Sequence, residues 1–267
     1  MPAHDIDYRL IGDDLQIVEI DLDPGETVRA EAGAMLYMDA DVRMDTGTDG
    51  GFMKGLKRRI TGESFFITSF THAGRGGTAR VAFSAPYPGK AIALDLGALG
   101  GTFLCQKDTF LCAASGIEIE VAFTKKLGAG LFGGEGFILQ RLEGDGLAFC
   151  HAGGTVIERD LGPGETVFVD TGCLVAFAPS VDYDIEFQGG FKNALFGGEG
   201  LFLARLEGPG KVFLQSLPFS RLADRIVAAS RMYANRGETN RGGAGALGAL
   251  GGLAAGGLLG DVLGGDS

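Results

Sequence analysis

Apolar and polar residues alternate with a period of two through much of the chain. The run VDYDIEF, residues 181–187, places an apolar side chain at every second position and a carboxylate between. Successive side chains of a strand point to opposite faces, so this run predicts a strand with one buried and one solvated face. Val167, Phe168 and Val169 do not alternate, which predicts cover on both faces. Gly, Pro, Asp or Ser separate such runs, and the pattern predicts an all-β chain of short strands.

Long phrases of the sequence recur at fixed spacing. LFGGEGFILQRLEGDG at 131–146 returns as LFGGEGLFLARLEGPG at 195–210, identical at 12 of 16 positions, and ITGESFFITSF at 60–70 is a fainter echo. LDPGETV at 22–28 returns as LGPGETV at 161–167. Internal repeats predict one supersecondary unit used in tandem. We therefore predict three β-sandwich-like repeats, each with about six strands.

The segment after the third repeat changes its period. Leu222, Ile226 and Ala229 lie on one helical stripe, which predicts a C-terminal amphipathic helix. The uncharged stretch at 242–260 has the length of a membrane span, but each glycine disfavours a helix by about 1 kcal/mol relative to alanine. We predict a flexible tail there, with a membrane-binding or partner-binding segment as the alternative. The predicted units are residues 1–84, 85–154 and 155–218 for the three repeats, 219–238 for the helix and 239–267 for the Gly/Ala/Leu-rich tail.

The net charge and the positions of the cysteines restrict which partners and which cellular location we expect. The net charge of -11 repels phosphate backbones, so RNA is a disfavoured partner. The first residues show no basic stretch followed by an apolar run, which leads us to expect a cytoplasmic protein. The four cysteines lie in apolar runs without metal-site spacing, and we expect reduced thiols in the core.

The repeated Gly-Gly-Glu-Gly phrase is the first candidate site. Glycines permit a tight turn into a strand, and the glutamate can hold backbone amides nearby, so we expect a structural turn motif. The alternative is that three equivalent glutamates face a ligand or a cation. The residues of this repeated turn motif are Gly62, Glu63, Gly134, Glu135, Gly198 and Glu199.

A basic and apolar loop precedes each of these phrases and is the second candidate site. Apolar side chains beside lysines, present three times, indicate subunit contacts or a surface that docks on a membrane or a partner. Of the two, subunit contact is the commoner explanation. The candidate interaction residues are Lys54, Lys57, Lys126, Phe132, Lys192 and Phe196.

Motifs of known catalytic sites are missing from the sequence. It holds three histidines and no GxSxG, HExxH or Walker-type phosphate loop. We therefore predict a protein that is not an enzyme, with no catalytic residues, no metal site and no cofactor.

Several of the phrases resemble an uncharacterised bacterial family that is related to the mitochondrial biogenesis, or altered inheritance of mitochondria, family. The phrases include DPGETVRAEAGAMLYM, KKLGAGLFGGEGFILQRLEGDGLAF and HAGGTVIERDLGPGETVFVDTGCLVAF, and the likeness spans about residues 5 to 235. The resemblance implies a fold akin to the tryptophan RNA-binding attenuation protein, with three β-rich modules per chain and assembly of chains into a homotrimer. In the organellar branch it implies a role in inner-membrane organisation, and it supplies no active-site residues.

The leading hypothesis is a non-catalytic oligomeric scaffold or binding protein, a homotrimer that contacts a membrane surface or a protein partner. The alternative is a ligand-binding or RNA-binding ring protein that uses clefts or basic loops between repeats.

Overall fold

The computed structural model describes residues 2–46, 67–125, 137–187 and 202–230. Within these ranges nineteen strands form four sheets whose strand pairs are all antiparallel. The prediction of an all-β chain is therefore confirmed.

The strands are numbered in chain order. The first seven are β1 (Asp7–Ile11), β2 (Ile17–Leu22), β3 (Thr27–Glu31), β4 (Met35–Met38), β5 (Val42–Asp45), β6 (Ile67–His72) and β7 (Ala79–Ser84). The next six are β8 (Gly89–Asp95), β9 (Thr102–Gln106), β10 (Phe110–Ala114), β11 (Glu118–Lys125), β12 (Phe137–Glu143) and β13 (Leu147–Gly153). The last six are β14 (Val156–Leu161), β15 (Thr166–Asp170), β16 (Leu174–Phe177), β17 (Asp182–Phe187), β18 (Phe202–Glu207) and β19 (Gly210–Gln215).

One pairing pattern occurs three times along the chain. We call β2–β7 module 1, β8–β13 module 2 and β14–β19 module 3, and letter the six strands of each module a to f. In every module strand f pairs with a and c, and strand e pairs with b and d. Each c strand also bulges by one residue against f, directly after Met35, Phe110 or Leu174. Each module thus contributes two three-stranded halves, a–f–c and d–e–b.

The halves of neighbouring modules join into continuous sheets. Strand b of module 1, β3, pairs with strand c of module 2, β10, and strand b of module 2, β9, pairs with strand c of module 3, β16. We call these two pairings the internal junctions. They produce the six-stranded sheets β5-β6-β3-β10-β13-β8 and β11-β12-β9-β16-β19-β14. The two remaining sheets are β1-β2-β7-β4 and β15-β18-β17.

Apolar side chains from the sheets form two buried clusters. The larger one contains Phe70, Phe83 and Phe149 of modules 1 and 2 and also reaches Phe213 of module 3. The smaller one packs module 3 against Phe137 and Leu139 of module 2. Burial of apolar surface is the main force that stabilises such a fold, at about 25 cal/mol per Å². The clusters cross the module boundaries, so the modules share their cores.

The cysteines lie in or beside this core as free thiols. Cys105, Cys112 and Cys150 are buried, and Cys173 is half-buried. Burial raises the pKa of the Cys112 thiol well above its ordinary value, which keeps the thiol protonated and unreactive.

The Pro-Gly-Glu sequences of the LDPGETV and LGPGETV repeats form turns in modules 1 and 3. Gly25 and Gly164 adopt positive φ angles of 90° and 75°, which glycine adopts without steric cost. The carboxylate of Glu26 accepts a hydrogen bond from the Asp23 backbone N–H, and that of Glu165 accepts one from the Gly162 N–H. Each glutamate thus closes its own turn.

The predicted C-terminal helix is present, and residues 219–230 of it are described. The described helical residues from 220 onward belong to a unit separate from residues 1–219. Of the predicted apolar stripe, Leu222 is half-buried and Ile226 is exposed. No helical segment in the described ranges combines the length and the hydropathy of a membrane span. The rest of the predicted helix and the tail at 239–267 lie outside these ranges.

Replacing Gly153 by alanine should destabilise the protein by about 3 kcal/mol. A Cβ at this position would lie 2.0 Å from the Leu217 carbonyl oxygen, whereas a Cβ at Gly76 would meet nothing within 4 Å. We therefore expect Gly76→Ala to change the unfolding free energy by less than about 0.5 kcal/mol. Urea unfolding of both variants measures the difference, and equal stabilities would contradict the close approach.

Candidate functional site

The residues that the sequence analysis singled out lie outside the described ranges. In the chain they fall between strands d and e of each module, that is between β5 and β6, β11 and β12, and β17 and β18. These residues are Lys54, Lys57, Lys126, Phe132, Lys192 and Phe196 of the candidate loops, and Gly62, Glu63, Gly134, Glu135, Gly198 and Glu199 of the turn motif. Their proposed roles remain predictions.

A cluster of titratable side chains lies at the internal junction of modules 1 and 2. Glu31 ends β3, Tyr87 lies between β7 and β8, and Lys107 and Asp108 belong to the turn after β9. The pairing of β3 with β10 brings Glu31 towards the turn that holds Lys107 and Asp108, and Tyr87 interacts electrostatically with Glu31 and Asp108. We call this set, with His151 of β13, the junction cluster.

Glu31 has the most unusual carboxyl group of the junction cluster. Its side chain reaches solvent, yet the surrounding protein excludes enough water to raise its pKa to about 7. Repulsion by Asp108 raises the pKa further, and Lys107 partly offsets the rise. Glu31 therefore changes its charge near neutral pH.

Tyr87 interacts with the Glu31 carboxyl group and also packs against the buried His151. Burial, followed by repulsion from Asp108 and Glu31, raises the pKa of Tyr87 to about 12, so the phenol keeps its proton. Its ring packs edge-on against His151 with centroids 4.6 Å apart, and against Phe219 at 5.3 Å. The ring of Tyr87 thus contacts two other rings while its phenol group interacts electrostatically with Glu31 and Asp108.

His151 is the buried member of the junction cluster, with 2% of its surface exposed. Burial lowers its pKa to about 4, so the imidazole is neutral at pH 7. In the described part of the chain its Nδ1 finds no hydrogen-bond partner. No three His, Cys, Asp or Glu side chains of the described ranges come together as a metal site.

One c strand and one b strand lie at the ends of sheets without a junction partner and expose apolar side chains, and we call these two strands the open edges. They are β4, at the end of the first sheet, and β15, at the end of the last. Leu36, Tyr37 and Met38 are exposed on β4, and Phe168 is exposed on β15. The equivalent c strands β10 and β16 are buried throughout because a b strand covers each of them.

Replacing Glu31 by glutamine should change how stability depends on pH. The folded-state pKa of about 7 lies above the ordinary 4.5, so the stabilisation from Glu31 is present below pH 4.5 and lost as the pH rises through 7. Glutamine stays neutral, and the variant should gain about 1 kcal/mol over wild type between pH 5 and pH 8. This gain in unfolding free energy is smaller than the full pKa shift of Glu31 would correspond to, because solvent screens a side chain that reaches the surface.

Urea unfolding of wild type and Glu31→Gln at both pH values measures this gain. Other titrating groups are common to the two proteins and cancel in the difference. A difference that does not change with pH would contradict the assignment to Glu31.

Similar proteins are known from streptococci. The chain is 30% identical over 218 residues to an uncharacterised protein of Streptococcus pyogenes serotype M6, a match that covers 79% of this chain and 85% of the relative. It also resembles an X-ray crystal structure of a Streptococcus pyogenes protein from a structural genomics consortium. That likeness has a TM-score of 0.68 and 25% identity, and it covers 84% of this chain and 99% of the other.

A family model matches most of the chain. The matched range contains all the described strands, except that it begins one residue after the start of β1. The model is described as mitochondrial biogenesis AIM24 and matches residues 8–217. The recurring modules, the internal junctions and the open edges all lie within this range or at its border. The chain therefore belongs to the mitochondrial biogenesis AIM24 family.

Proposed function

We propose that this chain is a non-catalytic oligomeric scaffold or binding protein, which acts through its surfaces. The observation that supports the proposal is the pair of open edges. Exposed apolar residues that cluster on one element mark interaction surfaces, whereas isolated ones are common on any protein. On β4 three neighbouring apolar side chains are exposed in a molecule whose other c strands are buried.

Strand β1 adds to the same sheet. It is exposed along its whole length and carries Tyr8, Leu10 and Ile11, which are among the large exposed apolar residues of the described ranges. The sheet β1-β2-β7-β4 thus has apolar side chains on both of its end strands. Exposed apolar edge strands of this kind favour pairing with other protein chains over remaining exposed to solvent.

The family description supports a role in cellular organisation. It refers to mitochondrial biogenesis, which is assembly of a membrane-bounded structure. We propose that the oligomer works in the cytoplasm and organises a membrane surface or a protein complex, with the basic and apolar loops as contacts. These loops are those of Lys54, Lys126 and Lys192.

The intact chain should form a homotrimer. Light scattering coupled to size exclusion should give three times the 27.7 kDa mass of one chain. Self-association would cover the exposed apolar side chains, whose burial stabilises the assembly. A mass of one chain at every accessible concentration would contradict the proposal.

The membrane part of the proposal has its own test. The full chain should float with vesicles of phosphatidylcholine and phosphatidylglycerol, because loop lysines attract anionic headgroups. A triple variant with Lys54→Glu, Lys126→Glu and Lys192→Glu should float less, and a chain without residues 239–267 shows the contribution of the tail. If neither the full nor the shortened chain floats, the membrane part is wrong and the protein-partner part remains.

A further inference from the structure

We infer that copies of this protein join head to tail, with β4 of one copy paired to β15 of the next as a third junction of the internal type. The inference rests on the proposed self-association and names the surfaces that carry it. Each internal junction pairs strand b of one module with strand c of the next. A chain of three modules makes two such junctions. One c strand, β4, and one b strand, β15, then have no junction partner within the chain.

The register of the third junction follows from the other two. The three b strands are five residues long and begin at Thr27, Thr102 and Thr166. In both internal junctions the fourth residue of b lies opposite the third residue of c, Ala30 opposite Cys112 and Cys105 opposite Ala176.

The same count places Val169 of one copy opposite Tyr37 of the next. The preceding residue of b lies opposite the following residue of c, which places Phe168 opposite Met38. The shared bulge in the c strands supports this alignment, since Tyr37, Cys112 and Ala176 each follow it directly.

Three of the four side chains at these positions, Tyr37, Met38 and Phe168, lack cover, whereas Val169 is already buried within its own chain. Phe168 is 53% exposed and Met38 is 37% exposed. Their equivalents at the internal junction of modules 2 and 3 are Leu104, 9% exposed, and Phe177, fully buried. Residues opposite each other in an antiparallel pair point to the same face. Phe168 and Met38 would therefore cover each other once the strands pair.

The composition of the open edges differs from that of the end strands β14 and β17. Proteins protect edge strands that must stay unpaired with charged residues. Strand β14 carries Glu158, Arg159 and Asp160, and β17 alternates apolar residues with carboxylates. Strand β4 reads MLYM without any charge, and β15 reads TVFVD with one carboxylate at its end. β4 and β15 are thus left open to pairing where β14 and β17 are protected.

The occupant of both open edges is a second copy of the chain. Each edge is complementary to the other and not to itself, since a c strand pairs with a b strand at both internal junctions. Such a contact is heterologous, and it gives a closed ring when the rotation between copies closes and a filament when it does not. A single defined mass in solution distinguishes the ring from the filament.

Two single variants test the pairing. Met38→Asp places a charge on β4 and leaves β15 intact, and Phe168→Asp does the reverse. Burying an unpaired carboxylate in the junction is unfavourable, so each variant alone should fall from the mass of the assembly to the mass of one chain. Ile157→Asp is the matched control, because Ile157 is an exposed apolar residue of an edge strand that forms no such junction. It should keep the wild-type mass.

Mixing the two variants gives the sharpest result. The intact β15 of Met38→Asp can pair with the intact β4 of Phe168→Asp, while the two substituted edges repel each other. The mixture should therefore give a species of two chains and nothing larger. Formation of this species also shows that both variants fold. The double variant should stay at one chain when it is alone.

The remaining outcomes overturn the inference. If both single variants keep the wild-type mass, the chains associate through another surface, and the proposed oligomer stands without this junction. If the two variants fail to combine at the highest soluble concentration, β4 and β15 are not partners. If wild type itself has the mass of one chain, both the inference and the proposed self-association are wrong.

Discussion

Backbone hydrogen bonding between strand b of one module and strand c of the next is the interaction on which the rest of the structure depends. A three-stranded half-module leaves a row of unpaired N–H and C=O groups at its edge, and such groups are costly to bury without partners. Pairing β3 with β10 and β9 with β16 satisfies them and joins the halves into six-stranded sheets. The apolar clusters can then extend across module boundaries, since the sheets that enclose them are continuous.

The same pairing decides which polar groups meet. The fifth residue of strand b lies close to the turn before strand c of the next module, and in modules 1, 2 and 3 this residue is Glu31, Gln106 and Asp170. At the first junction burial, with repulsion by Asp108, raises the pKa of the Glu31 carboxyl group to about 7. At the second junction the residue is a buried, uncharged amide. One architecture thus carries a titrating carboxyl group at the first junction and an uncharged amide at the second, and the turn before strand c is charged only at the first.

The sequence predicts the strands better than their partners. The alternation at 181–187 correctly predicts β17, with Val181 and Ile185 buried and Asp182 exposed, because the period of two depends only on local geometry. The pairing of β3 with β10 joins residues more than eighty positions apart, and no local pattern encodes it. The junction cluster was missed for the same reason. Glu31, Tyr87 and Asp108 come from three segments without a shared motif. The one signal in the sequence is the alignment of the three b strands, which shows a carboxylate at the end of β3.

The sheet topology explains why the predicted cover on both faces of β15 is missing in the single chain. The run of Val167, Phe168 and Val169 predicts cover on both faces, yet the described chain leaves Phe168 exposed. Strand β9 has the same position in module 2 and is covered because β16 lies beside it. Strand β15 thus has the composition of a covered strand without the neighbour that covers its equivalents. The same holds for β4 against β10 and β16, so both ends of the chain carry sequences suited to a junction that one chain alone does not make.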